Sequence, residues 1–218
     1  MTRTMLLEST RKRVRLCQLL EAAERAALAP IDTDKLHAFA YLCDILSPVW
    51  GLTPFDRRIL KTGRPPFYPD LQREVDRMVA MGIFEVRDLS YRKAPDGSMI
   101  FQARYALRFS STHGQALREA LDADPEAVAN QAYLDELARA LATLRDDDIA
   151  SAAAEDATYD DPTISSGDVI DFGDAARRIR TNEATASLDE LFPDIHLTPA
   201  RRLYMYAHYL GRKVHAAA

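Results

Sequence analysis

The chain has 218 residues, 47% of them apolar, and a formal net charge of -5. That length fits one domain, or one plus a small second, and no apolar run reaches the roughly 18 residues of a membrane-spanning helix, so a membrane protein is not expected. The charge is segregated: residues 1–109 hold 18 Lys/Arg against 13 Asp/Glu, residues 110–172 hold 3 against 15, and residues 173–218 hold 7 against 5.

A first helix is predicted from Ser9 to Leu28, with Leu16, Leu20, Ala23 and Ala27 as its inner stripe and Pro30 as its stop. Asp32 or Thr33 is placed to cap a second helix carrying Leu36, Phe39, Ala40 and Cys43 at helical spacing, closed by Pro48 and Trp50-Gly51. Leu52 to Leu60 is ambiguous; Thr53-Pro54 could open a short helix with Phe55 and Ile59 inward. Prolines at 65, 66 and 69 then disfavour helix before Asp70 and suit the first turn after it. Leu71, Val75, Met78 and Val79 share one helical face, and Gly82 stands where a left-handed cap needs no Cβ. Ile83 to Val86 has strand composition, Ala94-Pro-Asp-Gly97 is a turn signal, and Phe101, Ala103, Tyr105, Leu107 and Phe109 alternate as one face of a second strand.

That order of helix, strand, turn and strand predicts a recognition helix followed by a wing. The expected fold is mainly α with a small β-hairpin: a winged helix-turn-helix core followed by additional helices. Beyond it, a short helix is expected from Thr112 or His113 to Leu121. A longer one is opened by Asp124-Pro125 and striped by Leu134, Leu137, Ala138, Leu141 and Leu144, with Arg145-Asp-Asp-Asp148 at its end. Residues 146–161 are Ala/Asp-rich and read as a solvated linker or loose helix, and Asp161 to Phe172 as mostly loop. The last helix is expected from Pro199 to Val214, capped by Thr198, with Leu203, Tyr206, Ala207 and Leu210 inward. The corresponding organisation is a winged-helix domain over 1–110, a helical extension over 111–145, an acidic linker or loop over 146–172 and a C-terminal helical segment over 173–218.

The motifs that mark common enzyme classes are missing: no phosphate loop, Gly-x-Ser-x-Gly or dinucleotide fingerprint occurs. None of His37, His113, His196, His208 and His215 stands at a short metal-ligand spacing from another histidine or a cysteine. Asp146, Asp147 and Asp148 are consecutive and point apart if helical, and Ser165-Ser166-Gly167 is too slight to define an anion loop. No catalytic residue, metal or cofactor is expected, nor a small-molecule substrate. Cys17 and Cys43 lie on apolar helix faces, where buried reduced thiols are expected. The start, Met1-Thr-Arg-Thr-Met-Leu-Leu-Glu8, has no signal-peptide hydrophobic region, so a cytoplasmic protein with no membrane contact is expected.

Charge bears on whether the winged helix meets DNA, because a helix entering the major groove approaches a dense line of phosphates. From Asp70 to Met81, Arg73 and Arg77 face Asp70, Glu74 and Asp76, a balance of -1. Spacings of three residues favour pairing within the helix, although Arg73 or Gln72 could still reach a base. Better candidates for phosphate contact lie around it: Arg11, Lys12, Arg13 and Arg15 on the first helix, Arg57, Arg58 and Lys61 before the proline entry, and Arg92 and Lys93 on the wing. Candidates for a protein interface are Arg73 and Arg77 on the central helix and Tyr204 and Tyr209 on the last, since aromatics bury large area with a polar tip.

Lys35-Leu-His-Ala-Phe-Ala-Tyr-Leu-Cys-Asp44, followed by Arg64-Pro-Pro-Phe-Tyr-Pro-Asp-Leu71 and Met81-Gly-Ile-Phe84, resembles the middle components of prokaryotic ABC-three-component systems. These include the accessory subunit of Lamassu-type phage-defence operons. A looser pattern is shared with Panacea-type antitoxin domains. The resemblance covers roughly residues 30–110 and rests on hydrophobic and turn positions, so it carries over no functional residue. It implies a non-enzymatic accessory subunit that bridges an SMC-like ATPase, which engages DNA, and a nuclease-type effector in an antiviral or anti-plasmid defence complex. DNA contact would then come mainly through the complex. The alternative is a DNA-binding winged-helix regulator or antitoxin-like protein.

Overall fold

The computed structural model describes residues 3–62, 65–93, 97, 99–108, 112–172 and 179–217. It is mainly helical, with α1 (Arg3–Arg25), α2 (Thr33–Leu46), α3 (Pro69–Ala80), α4 (Thr112–Asp122), α5 (Pro125–Leu141), α6 (Asp148–Ala154), α7 (Arg180–Leu191) and α8 (Pro199–Ala217). The strands are β1 (Ile31–Asp32), β2 (Arg58–Leu60), β3 (Phe84–Lys93), β4 (Met99–Leu107) and β5 (Val169–Asp171). The chain divides into two units, neither continuous in sequence: residues 1–36 with 69–135, and residues 37–68 with 136–218. The divisions fall inside α2, before α3 and inside α5, because each unit recruits segments distant along the chain.

In the first unit, an antiparallel sheet in the order β1-β4-β3 pairs Ile31 with Tyr105 and Val86 with Tyr105 on its other side. α1 packs on α3 and β4, and α3 on β3. α3 forms where its proline entry and apolar spacing predict, burying Leu71, Val75 and Met78. Gly82 ends it at φ 70°, a conformation any side chain would strain, and its N–H bonds the Val79 carbonyl at 2.9 Å. β3 runs well past Val86, to Lys93, with a bulge between Arg87 and Ser90 where Asp88 takes φ 51°. Ala103, Tyr105 and Leu107 are buried on one face as their alternation predicts. Residues 94–96 of the expected turn, Phe109 and the side chains of Phe101 and His113 lie outside the described residues.

Two local expectations are corrected, at the end of α1 and at Thr53-Pro54, and the cap of α2 is resolved. α1 stops at Arg25, not Leu28: Ala27 takes φ 59° and is exposed, so it is not part of the inner stripe. The Leu28 N–H bonds back to the Ala23 carbonyl at 2.8 Å, a left-handed helix stop made without glycine. α2 is capped by Asp32, whose Oδ1 accepts the Lys35 N–H at 2.9 Å. Thr53-Pro54 opens no helix, because Asp44 Oδ1 draws in the Phe55 and Asp56 N–H groups at 3.0 and 3.3 Å. The chain then enters β2, which pairs with β5.

In the second unit, α6, α7 and α8 pack together, with α7 and α8 also against a 3-10 turn at Ser47–Trp50. α5 ends at Leu141, before Leu144 and the aspartates. Asp148 instead begins α6, and Ile149, Ala152 and Ala153 are buried. The segment expected as a solvated linker or loose helix thus holds a short helix, whose alanines are buried against α8, which single-sequence polarity does not reveal. Asp161 to Phe172, expected as mostly loop, includes β5 paired in register as Arg58/Asp171, Ile59/Ile170 and Leu60/Val169. α8 buries Leu203, Tyr206, Ala207 and Leu210, with Thr198 Oγ1 accepting the Arg201 N–H at 3.3 Å.

Candidate functional site

The exposed side of α3 is crossed by its own ion pairs. Arg73 pairs with Asp70 and Arg77 with Glu74, each three residues apart. α1 adds to both carboxylates: Lys12 Nζ lies 3.7 Å from Asp70, and Arg13 Nε lies 2.8 Å from Glu74 Oε2. Ser9 Oγ donates to Glu74 Oε1 at 3.0 Å. Burial pushes the Glu74 carboxyl up, but the hydrogen bonds from Arg13 and Ser9 and the charges of Arg13 and Arg77 outweigh it and hold it below its ordinary range. Gln72, the other candidate base reader, bonds Asp76 at 2.9 Å and the Tyr105 hydroxyl at 3.2 Å. Two candidate sets that are far apart in sequence, Lys12/Arg13 and Arg73/Arg77, thus meet around two carboxylates.

The other candidates of this unit are dispersed. Arg11 is exposed, whereas Arg15 is only 9% exposed and too enclosed to follow a phosphate backbone. Lys93 is exposed at the end of β3, and the Arg92 side chain lies outside the described residues. Tyr91 and Met99, near the outer end of the hairpin, are 65% and 63% exposed.

In the second unit, Arg57 is exposed, Arg58 pairs with Asp171 at 2.7 Å, and Lys61 bonds the Asp161 carbonyl at 3.0 Å and lies 5.9 Å above the Tyr159 ring. Tyr204 is half-buried; Tyr209 is exposed and rests near the Tyr206 ring at 5.8 Å. Sequence reasoning missed the most concentrated polar cluster of this unit, centred on Asp156, which is fully buried. Asp156 accepts from the Tyr41 and Tyr206 hydroxyls, both at 2.7 Å, from Thr181 Oγ1 at 2.8 Å, and from the Thr158 and Tyr159 N–H groups at 3.0 and 3.3 Å. The Thr181 proton is directed at the carboxylate, so the 2.7 Å contact between the Thr158 and Thr181 hydroxyls has Thr158 as donor. Burial and the Asp156 charge push both phenols above their usual range. The buried Asp156, ringed by hydroxyls, joins α2, α7 and α8.

A cavity of about 340 Å³ adjoins this cluster, lined by residues including Thr158, Asp161, Thr163, Ile170, Arg180 and Glu183. Arg180 Nε lies 2.8 Å from Asp161. Burial pushes Asp161 up, yet hydrogen bonds from Thr163 and the charges of Arg180 and Lys61 leave it lowered. Among the described residues, no group of three or more His, Cys, Asp or Glu could hold a metal ion, and no helix is long and apolar enough to cross a membrane. Comparison with protein-family models, curated proteins and solved structures finds no match.

Proposed function

We propose that this chain is a non-catalytic accessory subunit whose first unit is a winged helix used for docking to protein rather than for reading DNA. The observation that carries the reading is the pairing on α3 and α1. Lys12, Arg13, Arg73 and Arg77 all face Asp70 or Glu74, so a phosphate backbone approaching α3 meets carboxylates and cations together. The sheet order β1-β4-β3 and the β3-β4 hairpin that follows α3 support the winged-helix assignment. The partners follow from the sequence resemblance: an SMC-like ATPase and a nuclease-type effector of a prokaryotic defence complex, bridged by this subunit. Co-expression with the adjacent genes and affinity purification tests it. Recovery of a complex containing an ATPase and an effector is expected, and a chain that purifies alone rejects the reading.

The second reading, a DNA-binding regulator or antitoxin-like protein, is favoured by the exposed Arg11 and Lys93 of the same unit. It requires duplex affinity that falls steeply with salt.

A further inference from the structure

The basic side chains of α8, arginine, lysine and histidine, fall into two sets. Three turn toward carboxylates of their own unit: Arg202 bonds Asp189 at 2.8 Å, Lys213 lies 3.1 Å from Asp160, and His215 lies 3.0 Å from Asp148. The second set is Arg201, His208 and Arg212, all exposed, whose side chains make no ion pair among the described residues. At 3.6 residues per turn, these three fall within about 40° of one another, a stripe roughly 16 Å long. Met205, half-buried, lies beside the stripe, and Tyr209, 46% exposed, flanks it. α8 has no acidic residue of its own to neutralise this face.

We propose that this outer stripe of α8 docks an acidic amphipathic helix of a protein partner. Carboxylates repeating every three to four residues on such a helix match the spacing of Arg201, His208 and Arg212, as flanking charges do between paired helices. Leucine-like residues beside them would cover Met205 and the Tyr209 ring. A nucleic acid fits less well. The second unit carries 13 Lys/Arg against 17 Asp/Glu. That net acidity repels a duplex bearing one charge per roughly 1.7 Å, many more charges than one helix face carries.

The inference deepens the protein-docking reading and concerns α8 alone. Its test is anisotropy titration of the full chain against a labelled helical peptide of about 20 residues, with glutamates at i, i+4, i+7 and i+11 beside leucines. A glutamine version of the peptide and a duplex of about 20 base pairs serve as competitors. The glutamate peptide is expected to bind at least about ten-fold more tightly than the glutamine peptide. The double variant Arg201→Glu/Arg212→Glu is expected to lose about ten-fold of that affinity with circular dichroism and melting unchanged. Failure of the glutamate peptide to bind overturns the proposal. So do equal affinities for the two peptides, indifference to the double variant, or preferential duplex binding that the double variant removes. A complex recovered on co-expression despite such a failure would leave the accessory-subunit reading standing and reject only this surface.

Discussion

Arg13 and Glu74, 61 positions apart, meet with Nε 2.8 Å from Oε2 in a contact that is partly buried on the arginine side and nearly closed on the glutamate side. It fastens the basic cluster of α1 to α3, the helix that carries Asp70, Arg73 and Arg77. Because the folded carboxyl lies below its ordinary value, the stabilisation is fully present above the unfolded value of about 4.3 and is lost as pH falls through the folded one. Glu74→Gln is expected to cost about 1–3 kcal/mol at neutral pH. Urea titrations at stepped pH should show the variant and the parent converging below pH 4, about the unfolded glutamate value. A gap unchanged down to low pH would refute the pairing.

Asp156 holds three hydroxyls and two N–H groups. Asp156→Ala leaves all five without an acceptor and should cost about 3 kcal/mol or more. Tyr206→Phe removes a single donor and should cost about 1–2 kcal/mol. Denaturant midpoints measure both. A small loss in the alanine variant would mean that the buried carboxylate is replaceable by water.

The two sides of α3 should separate in a stability scan. Leu71 is 2% exposed, and truncation to alanine should cost about 2–5 kcal/mol. Arg73, outward and paired only at the surface, should cost no more than about 0.5 kcal/mol as alanine. Thermal melts of the two variants report the contrast, and similar losses would contradict the orientation of the helix.

Salt dependence distinguishes the two readings of the first unit. If α3 and α1 keep their cations for Asp70 and Glu74, duplex affinity should be weak at 50 mM salt, a value low enough to exaggerate phosphate contacts. A slope in log-log coordinates of about -3 or steeper, reduced by about one in Arg11→Ala or Lys93→Ala, would favour the regulator reading.

What the sequence makes legible follows from how local each cause is. α3 is readable because its prolines, apolar spacing and Gly82 act within eighteen residues, from Pro65 to Gly82. β2 is not, since Arg58–Leu60 becomes a strand only through Val169–Asp171, more than a hundred positions away. The balance of -1 on the central helix is a sequence property, but the reach of Lys12 and Arg13 to its acids is a packing result. Asp156 sits in an Ala/Asp-rich stretch whose composition reads as solvated. Its partners Tyr41, Thr181 and Tyr206 carry no spacing that would connect them. A stronger clue was available in Tyr206, assigned inward while still carrying a hydroxyl that must find an acceptor.

The Asp156 cluster also bears on how the chain is made. Tyr41 leaves the ribosome 115 residues before the carboxylate, Thr181 follows 25 residues after it, and Tyr206 follows 50 after. At about 5–20 residues per second, Asp156 waits roughly 3–10 s for its last hydroxyl. Throughout that interval α6 is complete while α8, the helix it packs against, is still being synthesised. A nascent chain arrested before residue 199 would expose this carboxylate and the alanine face of α6 to chaperones and proteases, and release from arrest would close the unit in one late step.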